Sequence, residues 1–193
     1  MSPLALSEKL LVLHRNLDAA DVPHAFGGAI ALAYCTGEPR ATIDIDLNLF
    51  VQTSEAERVL GDLPDGVASD HQDLDLALAD DQVRLFWDDT PVDLFFSYHP
   101  FHTDLARRVR TVPFADTLIP VLSCEDLLVF KAFFARTKDW ADIEAMAATD
   151  ALDLPAACQR VAALLGTDHP SYRALLATTE SGPPGTPPLP RLP

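Results

Sequence analysis

The run RATIDIDLNLFV, residues 40–51, sets two carboxylates, Asp44 and Asp46, two positions apart in a stretch otherwise suited to a β-strand. Successive side chains of a strand point to opposite faces of the sheet. Thr42, Asp44, Asp46 and Asn48 therefore share one face, and Ile43, Ile45, Leu47 and Leu49 the other. One face packs, and the other meets water or does chemistry. Neighbouring like charges fit a solvated acidic face, and they also fit a divalent cation that relieves their repulsion and prefers hard oxygen donors. Asp93, in TPVDLFF, is either a strand-edge residue beside a turn or a third ligand. Gly27 and Gly28 precede a helical stretch, as a tight turn with close helix packing or as a backbone cradle for an anion. A glycine turn, then D-x-D, then a later Asp is the order expected where amides hold a triphosphate and carboxylates hold two Mg²⁺ ions.

Other residues offer weaker chemistry. His99 and His102 form an H-x-x-H beside Pro100, which reads as a surface loop in preference to a zinc site because no further ligand is near in sequence. The basic run ARRVR, residues 106–110, reads as a solvated face or the lining of an acceptor groove. Cys35, Cys124 and Cys158 are odd in number and widely spaced, which predicts reduced, buried thiols and no disulfide framework. The chain carries 29 acidic residues against 14 Lys and Arg, a net charge of -15 that repels polyanions at long range. At 193 residues, 48% hydrophobic and 22% charged, it suits one globular domain with a small helical appendage. Its start lacks a basic segment leading into an apolar run, and no stretch is apolar for the length of a bilayer, so a cytoplasmic protein without a membrane partner is expected.

The elements that must position these residues follow from periodicity and punctuation. Leu6, Leu10, Leu13 and Leu17 recur at helical spacing with Glu8, Lys9, Arg15 and Asn16 between them, predicting an amphipathic helix that ends near Asp21. VPHAF reads as a short strand, AIALAYCTG as a helix stopped by Gly37 and Pro39, and TIDIDLNLFV as a strand. TSEAERVLGDL reads as a helix capped by Thr53 or Ser54. QVRLFWDDTPVDLFFSY splits around Asp88, Asp89, Thr90 and Pro91 into a hairpin. Ser123 and Asp126 open a helix through LLVFKAFFA, and short helices follow over KDWADIEAMAA, LPAACQRVAALL and SYRALLATT. The predicted organisation is a core over 1–122, a helical segment over 123–180 packed on it, and a disordered Pro-rich tail over 181–193.

Three blocks, HAFGGAIALAYCTGEPRATIDIDLNLFV (24–51), PVDLFF (91–96) and KAFFARTKDWADI (131–143), resemble the nucleotidyltransferases of the DNA polymerase beta-like fold, nearest to the bacterial branch of AbiEii-type toxins. The resemblance implies an α+β fold, a mixed β-sheet flanked by helices, and transfer of a nucleoside monophosphate from an NTP. It implies that Gly27 and Gly28 contact the triphosphate with Arg40 and Thr42 beside it, that Asp44, Asp46 and Asp93 hold two Mg²⁺ ions, and that Asp93 is the general base. Lys131, and more weakly Arg136 and Lys138, would neutralise phosphate. The acceptor is left open among RNA ends, a protein and a small molecule, and an antitoxin protein is an implied partner. The other reading is a non-catalytic interaction module of the same fold.

Overall fold

Leu10, Leu13 and Leu17 bury completely along one stripe of the first helix, α1 (Leu6–Ala19), as their spacing predicts. The structure is a computed structural model describing residues 4–181; of the stretch read as a disordered tail, all but Ser181 lies outside them. After α1 come β1 (His24–Phe26), α2 (Gly28–Thr36), β2 (Ile45–Gln52), a 3₁₀ turn (Thr53–Glu55), α3 (Ala56–Gly61), β3 (Val67–Ala68) and α4 (His71–Asp80). Then follow β4 (Gln82–Trp87), β5 (Thr90–Ser97), α5 (Pro100–Ala106), β6 (Arg110–Phe114) and β7 (Thr117–Val121). Four helices complete the described chain: α6 (Cys124–Phe134), α7 (Thr137–Ala147), α8 (Leu154–Leu165) and α9 (Pro170–Ser181).

Two compact units result. The first holds the described residues through Tyr34 together with Glu38–Ser123, and so contains every strand among the described residues. Its sheet runs β3-β4-β5-β2-β1-β7-β6. β2 lies parallel to β5 and antiparallel to β1, which in turn is parallel to β7, so the sheet is mixed and the fold α+β. Along β2, β5 and β4, Ile45, Leu47, Val92, Leu94, Val83 and Leu85 are buried on one face. This alternating apolar pattern sets the register, because a slip of one residue would carry every apolar side chain to the other face.

Three local expectations are corrected. Lys9, placed by periodicity on a polar face, is buried: its ammonium donates to Trp87 O at 2.7 Å and Thr90 Oγ1 at 3.1 Å and pairs with Asp88 at 3.0 Å, tying α1 to the β4–β5 turn. Neither Thr53 nor Ser54 caps a helix with its side chain, since Thr53 donates its hydroxyl to Asp81 across the chain. His102 is not a surface loop residue but a buried member of α5, where burial pulls its imidazole below the ordinary value, while His99 caps that helix by accepting from Phe101 N at 3.2 Å.

The second unit comprises Cys35–Gly37 and the described residues from Cys124 onward. It corrects the reading of reduced cysteines: Cys35 and Cys124 form a disulfide, their Cα atoms 5.5 Å apart although 89 positions separate them in sequence. An odd count concealed one folded pair and left Cys158 free. Buried carboxylates in this unit face cations, Asp126 meeting Arg160 at 2.8 Å and Asp142 meeting Lys131 at 2.6 Å.

Candidate functional site

β1 ends at Phe26, and the chain turns through Gly27 into α2. The Gly27 amide donates to Asp46 O at 2.9 Å, fastening the turn to β2. Gly28 has φ +48°, a region that L side chains avoid, and a Cβ there would lie 1.7 Å from Asp46 Oδ2. Only glycine lets the Asp46 carboxylate rest against the opening residue of α2. A helix's first turn directs N–H groups that lack an intrahelical acceptor and carries positive dipole character, so this end of α2 is suited to negative charge.

β2 begins at Ile45, which changes the reading of the D-x-D. Thr42 and Asp44 precede the strand, so simple alternation does not extend to them, and Ile43, assigned to the packed face, is 76% exposed. A local bond takes over their placement, with Thr42 Oγ1 donating to Asp44 Oδ1. Within the strand Asp46 pairs in register with Asp93 of β5, and Asp93 with Arg84 of β4. Register partners share a sheet face, so Asp46, Asp93 and Arg84 form a row across three adjacent strands.

Arg84 is the residue the motifs did not single out. Its Nε donates to Asp93 Oδ1 at 2.6 Å and its Nη2 to Asp93 Oδ2 at 2.7 Å, a two-bond fork. The hydrogen bond and charge of Asp93, followed by the charges of Asp44 and Asp46, raise the Arg84 guanidinium above its ordinary value, which places all three carboxylates within its electrostatic reach. A signal for Arg84 did exist. The Asp88–Asp89 turn aligns Trp87 with Thr90, and counting back along the hairpin aligns Arg84 with Asp93.

The remaining expected residues are spread more widely. Arg40 is exposed in the segment before β2. Lys131 belongs to the second unit, where it is buried with its ammonium 2.6 Å from Asp142 and 3.5 Å from Asp139. Arg136 forks onto Asp139, with Nε 2.6 Å and Nη2 3.2 Å from the carboxylate oxygens, and lies over the Phe134 ring. Burial pushes the Asp139 carboxyl up, but the hydrogen bonds and charge of Arg136 together with the charge of Lys131 bring it below its ordinary value. Lys138 is exposed.

Among the described residues no three His, Cys, Asp or Glu side chains are gathered so as to hold a metal ion as they stand. The donors are nevertheless right in kind, since Asp44, Asp46 and Asp93 offer hard oxygens, and two of them are strand neighbours. Both oxygens of Asp93 are turned to Arg84.

No protein-family model and no curated protein matches the chain. Solved structures do. The solution structure of the antibiotic-resistance factor ANT(2'')-Ia is similar with a TM-score of 0.52 at 17% identity, over 91% of each chain. Its crystal structure in complex with adenylyl-2''-tobramycin gives 0.54 at 14% identity, over 91% of this chain and 97% of that one. The lincosamide antibiotic adenylyltransferase LnuA, with lincomycin bound, gives 0.53 at 16% identity, over 75% of this chain and 98% of that one. The fold is that of the nucleotidyltransferases. Among the described residues of this nucleotidyltransferase fold, no helix is long and apolar enough to cross a membrane.

Proposed function

We propose that the protein is a divalent-metal-dependent nucleotidyltransferase that moves a nucleoside monophosphate from an NTP to a hydroxyl acceptor. The observation that supports it is the row of Asp46 and Asp93 across β2 and β5, with the Asp46 carboxylate against Gly28 at the start of α2. In this reading the Gly28 amide and those of the first turn of α2 hold phosphate oxygens, the Gly27 amide being engaged by Asp46 O, with Arg40 and Thr42 beside them. Asp44, Asp46 and Asp93 are the residues that would hold Mg²⁺. Two such ions, when bound, neutralise the charge that builds on the transferring phosphoryl group. Asp93 accepts the acceptor's proton as the acceptor oxygen bonds to the α-phosphorus, and the bond to the bridging oxygen breaks to release pyrophosphate. Lys131 has its ammonium engaged by Asp142 and Asp139, so a phosphate contact from it requires that pair to open.

The acceptor class follows from charge. At -15 the chain disfavours a long polyanion and favours a neutral or cationic hydroxyl compound over RNA. The resemblance over residues 24–51 extends the reading toward AbiEii-type toxins, with an antitoxin protein as partner. Incubation of cell extract with each α-labelled NTP and Mg²⁺ tests the proposal. The wild type should label an acceptor and Asp46→Asn should not; NTP binding that is equal in both proteins and indifferent to EDTA, with no labelled product, overturns it in favour of a non-catalytic interaction module.

A further inference from the structure

We propose that Arg84 is a latch on the metal site: its guanidinium occupies both oxygens of Asp93 in the metal-free protein and exchanges that carboxylate for a phosphate of the incoming nucleotide when a cation binds. The inference rests on the reading of the site as a metal-dependent transferase.

The geometry states the conflict directly. A carboxylate that accepts two charge-assisted bonds at 2.6 and 2.7 Å has one lone pair on each oxygen committed, and a cation approaching along those directions competes with the guanidinium. The neighbouring carboxylates add a reason for Arg84 to be there. Asp46 and Asp93 are adjacent across β2 and β5, and without a counter-charge their repulsion would be uncompensated on that face. Arg84 supplies a counter-charge through Asp93, which helps the fold tolerate like charges on neighbouring strands. The two partners are also unequal in freedom. The Asp93 side chain is 14% exposed whereas that of Arg84 is 58% exposed, so the arginine can move into solvent while the carboxylate stays on its strand. A planar fork of N–H donors that releases a carboxylate is matched equally well to a phosphate, which a bound triphosphate brings to the same face. The exchange breaks and forms only hydrogen bonds, and every charge stays paired.

The test uses the full chain, with Mn²⁺ as the probe and its free ion counted by electron paramagnetic resonance, alone and with a non-hydrolysable NTP. Arg84→Ala should tighten nucleotide-free Mn²⁺ binding about threefold to fivefold, the scale of an ion pair whose arginine is largely exposed. Arg84→Lys keeps the charge but loses the fork and should fall between the two. Adding Asp93→Asn to Arg84→Ala should cancel the gain, and Arg84→Ala should weaken binding of the metal–NTP complex severalfold. If Arg84→Ala tightens Mn²⁺ binding while Arg84→Lys matches the wild type, charge acting at a distance accounts for the effect and the latch is overturned. Unchanged Mn²⁺ affinity in Arg84→Ala, where the wild type does bind the ion, overturns the latch and leaves the proposed function standing. Failure of every protein to bind Mn²⁺, with or without nucleotide, overturns both.

Discussion

Gly28 combines two constraints that any side chain would violate, a φ of +48° and an Asp46 oxygen 1.7 Å from the place of a Cβ. Gly28→Ala should therefore lower stability by about 1–3 kcal/mol in chemical denaturation and push the Asp46 carboxylate off the helix start, with loss of metal-dependent NTP binding. Lys131 makes the opposite case, a charged residue whose visible contacts are all within the second unit. Lys131→Met takes the nearest cation from buried Asp142 while Asp139 keeps Arg136, and should cost about 3 kcal/mol, read as a lowered denaturation midpoint. If Lys131→Met instead keeps its midpoint and loses NTP binding, the lysine serves the nucleotide as the resemblance implied. At this scale the sequence was informative where spacing within one strand decides. Asp46 and Asp93 could be placed; Asp44 could not, because the strand starts one residue later and a threonine hydroxyl takes over its orientation.

Between elements, the β4–β5 hairpin organises the most. It sets Arg84 beside Asp93 and Asp93 beside Asp46, and its turn is anchored to α1 by the buried Lys9 ammonium. Removing that ammonium takes a donor from the Trp87 carbonyl and the counter-charge from Asp88, loosening the turn. Lys9→Ala should cost about 2–3 kcal/mol, while Lys9→Arg should recover part of it; equal midpoints for wild type and Lys9→Ala would show that the anchor contributes nothing. Helix α4 was not read from the sequence even though its signal is local. Asp70 accepts from the Gln72 and Asp73 amides, and Asp73 returns a bond from the Asp70 amide. The pattern is a capping box with Asp in the role usually given to Glu, and the acidic run around it resembles a loop in composition.

Over the whole molecule, acid and reductant should reveal what neutral, oxidising conditions hide. Burial, outweighing the bond to Val22 O, lowers the His24 imidazole below its ordinary value, with His14 lowering it further and Asp18 opposing. The unfolded chain then binds more protons than the folded one, so the stability contributed by neutral His24 is present above about pH 6.5 and is lost as pH falls below that value. His24→Gln should show a flatter decline in melting temperature between about pH 7.5 and 5 than the wild type, and parallel curves would refute the assignment. Reduction of Cys35–Cys124 opens a loop spanning 89 positions and should lower the unfolding free energy by roughly 3–5 kcal/mol, read from denaturation with and without a thiol reductant. By itself the sequence determined most helix and strand positions, the hairpin and the glycine turn, because each of these depends on periodicity or turn chemistry within a few residues, while the α+β class followed from the resemblance of its three blocks. Tertiary structure alone decided that Cys35 meets Cys124, that Lys9 is buried among partners distant in sequence and Lys131 against carboxylates of the next helix, and that Asp46 of β2 joins the Asp93–Arg84 pair of the hairpin. Those outcomes depend on which elements become neighbours, and neighbours far apart in the chain are chosen by tertiary packing, not by local periodicity.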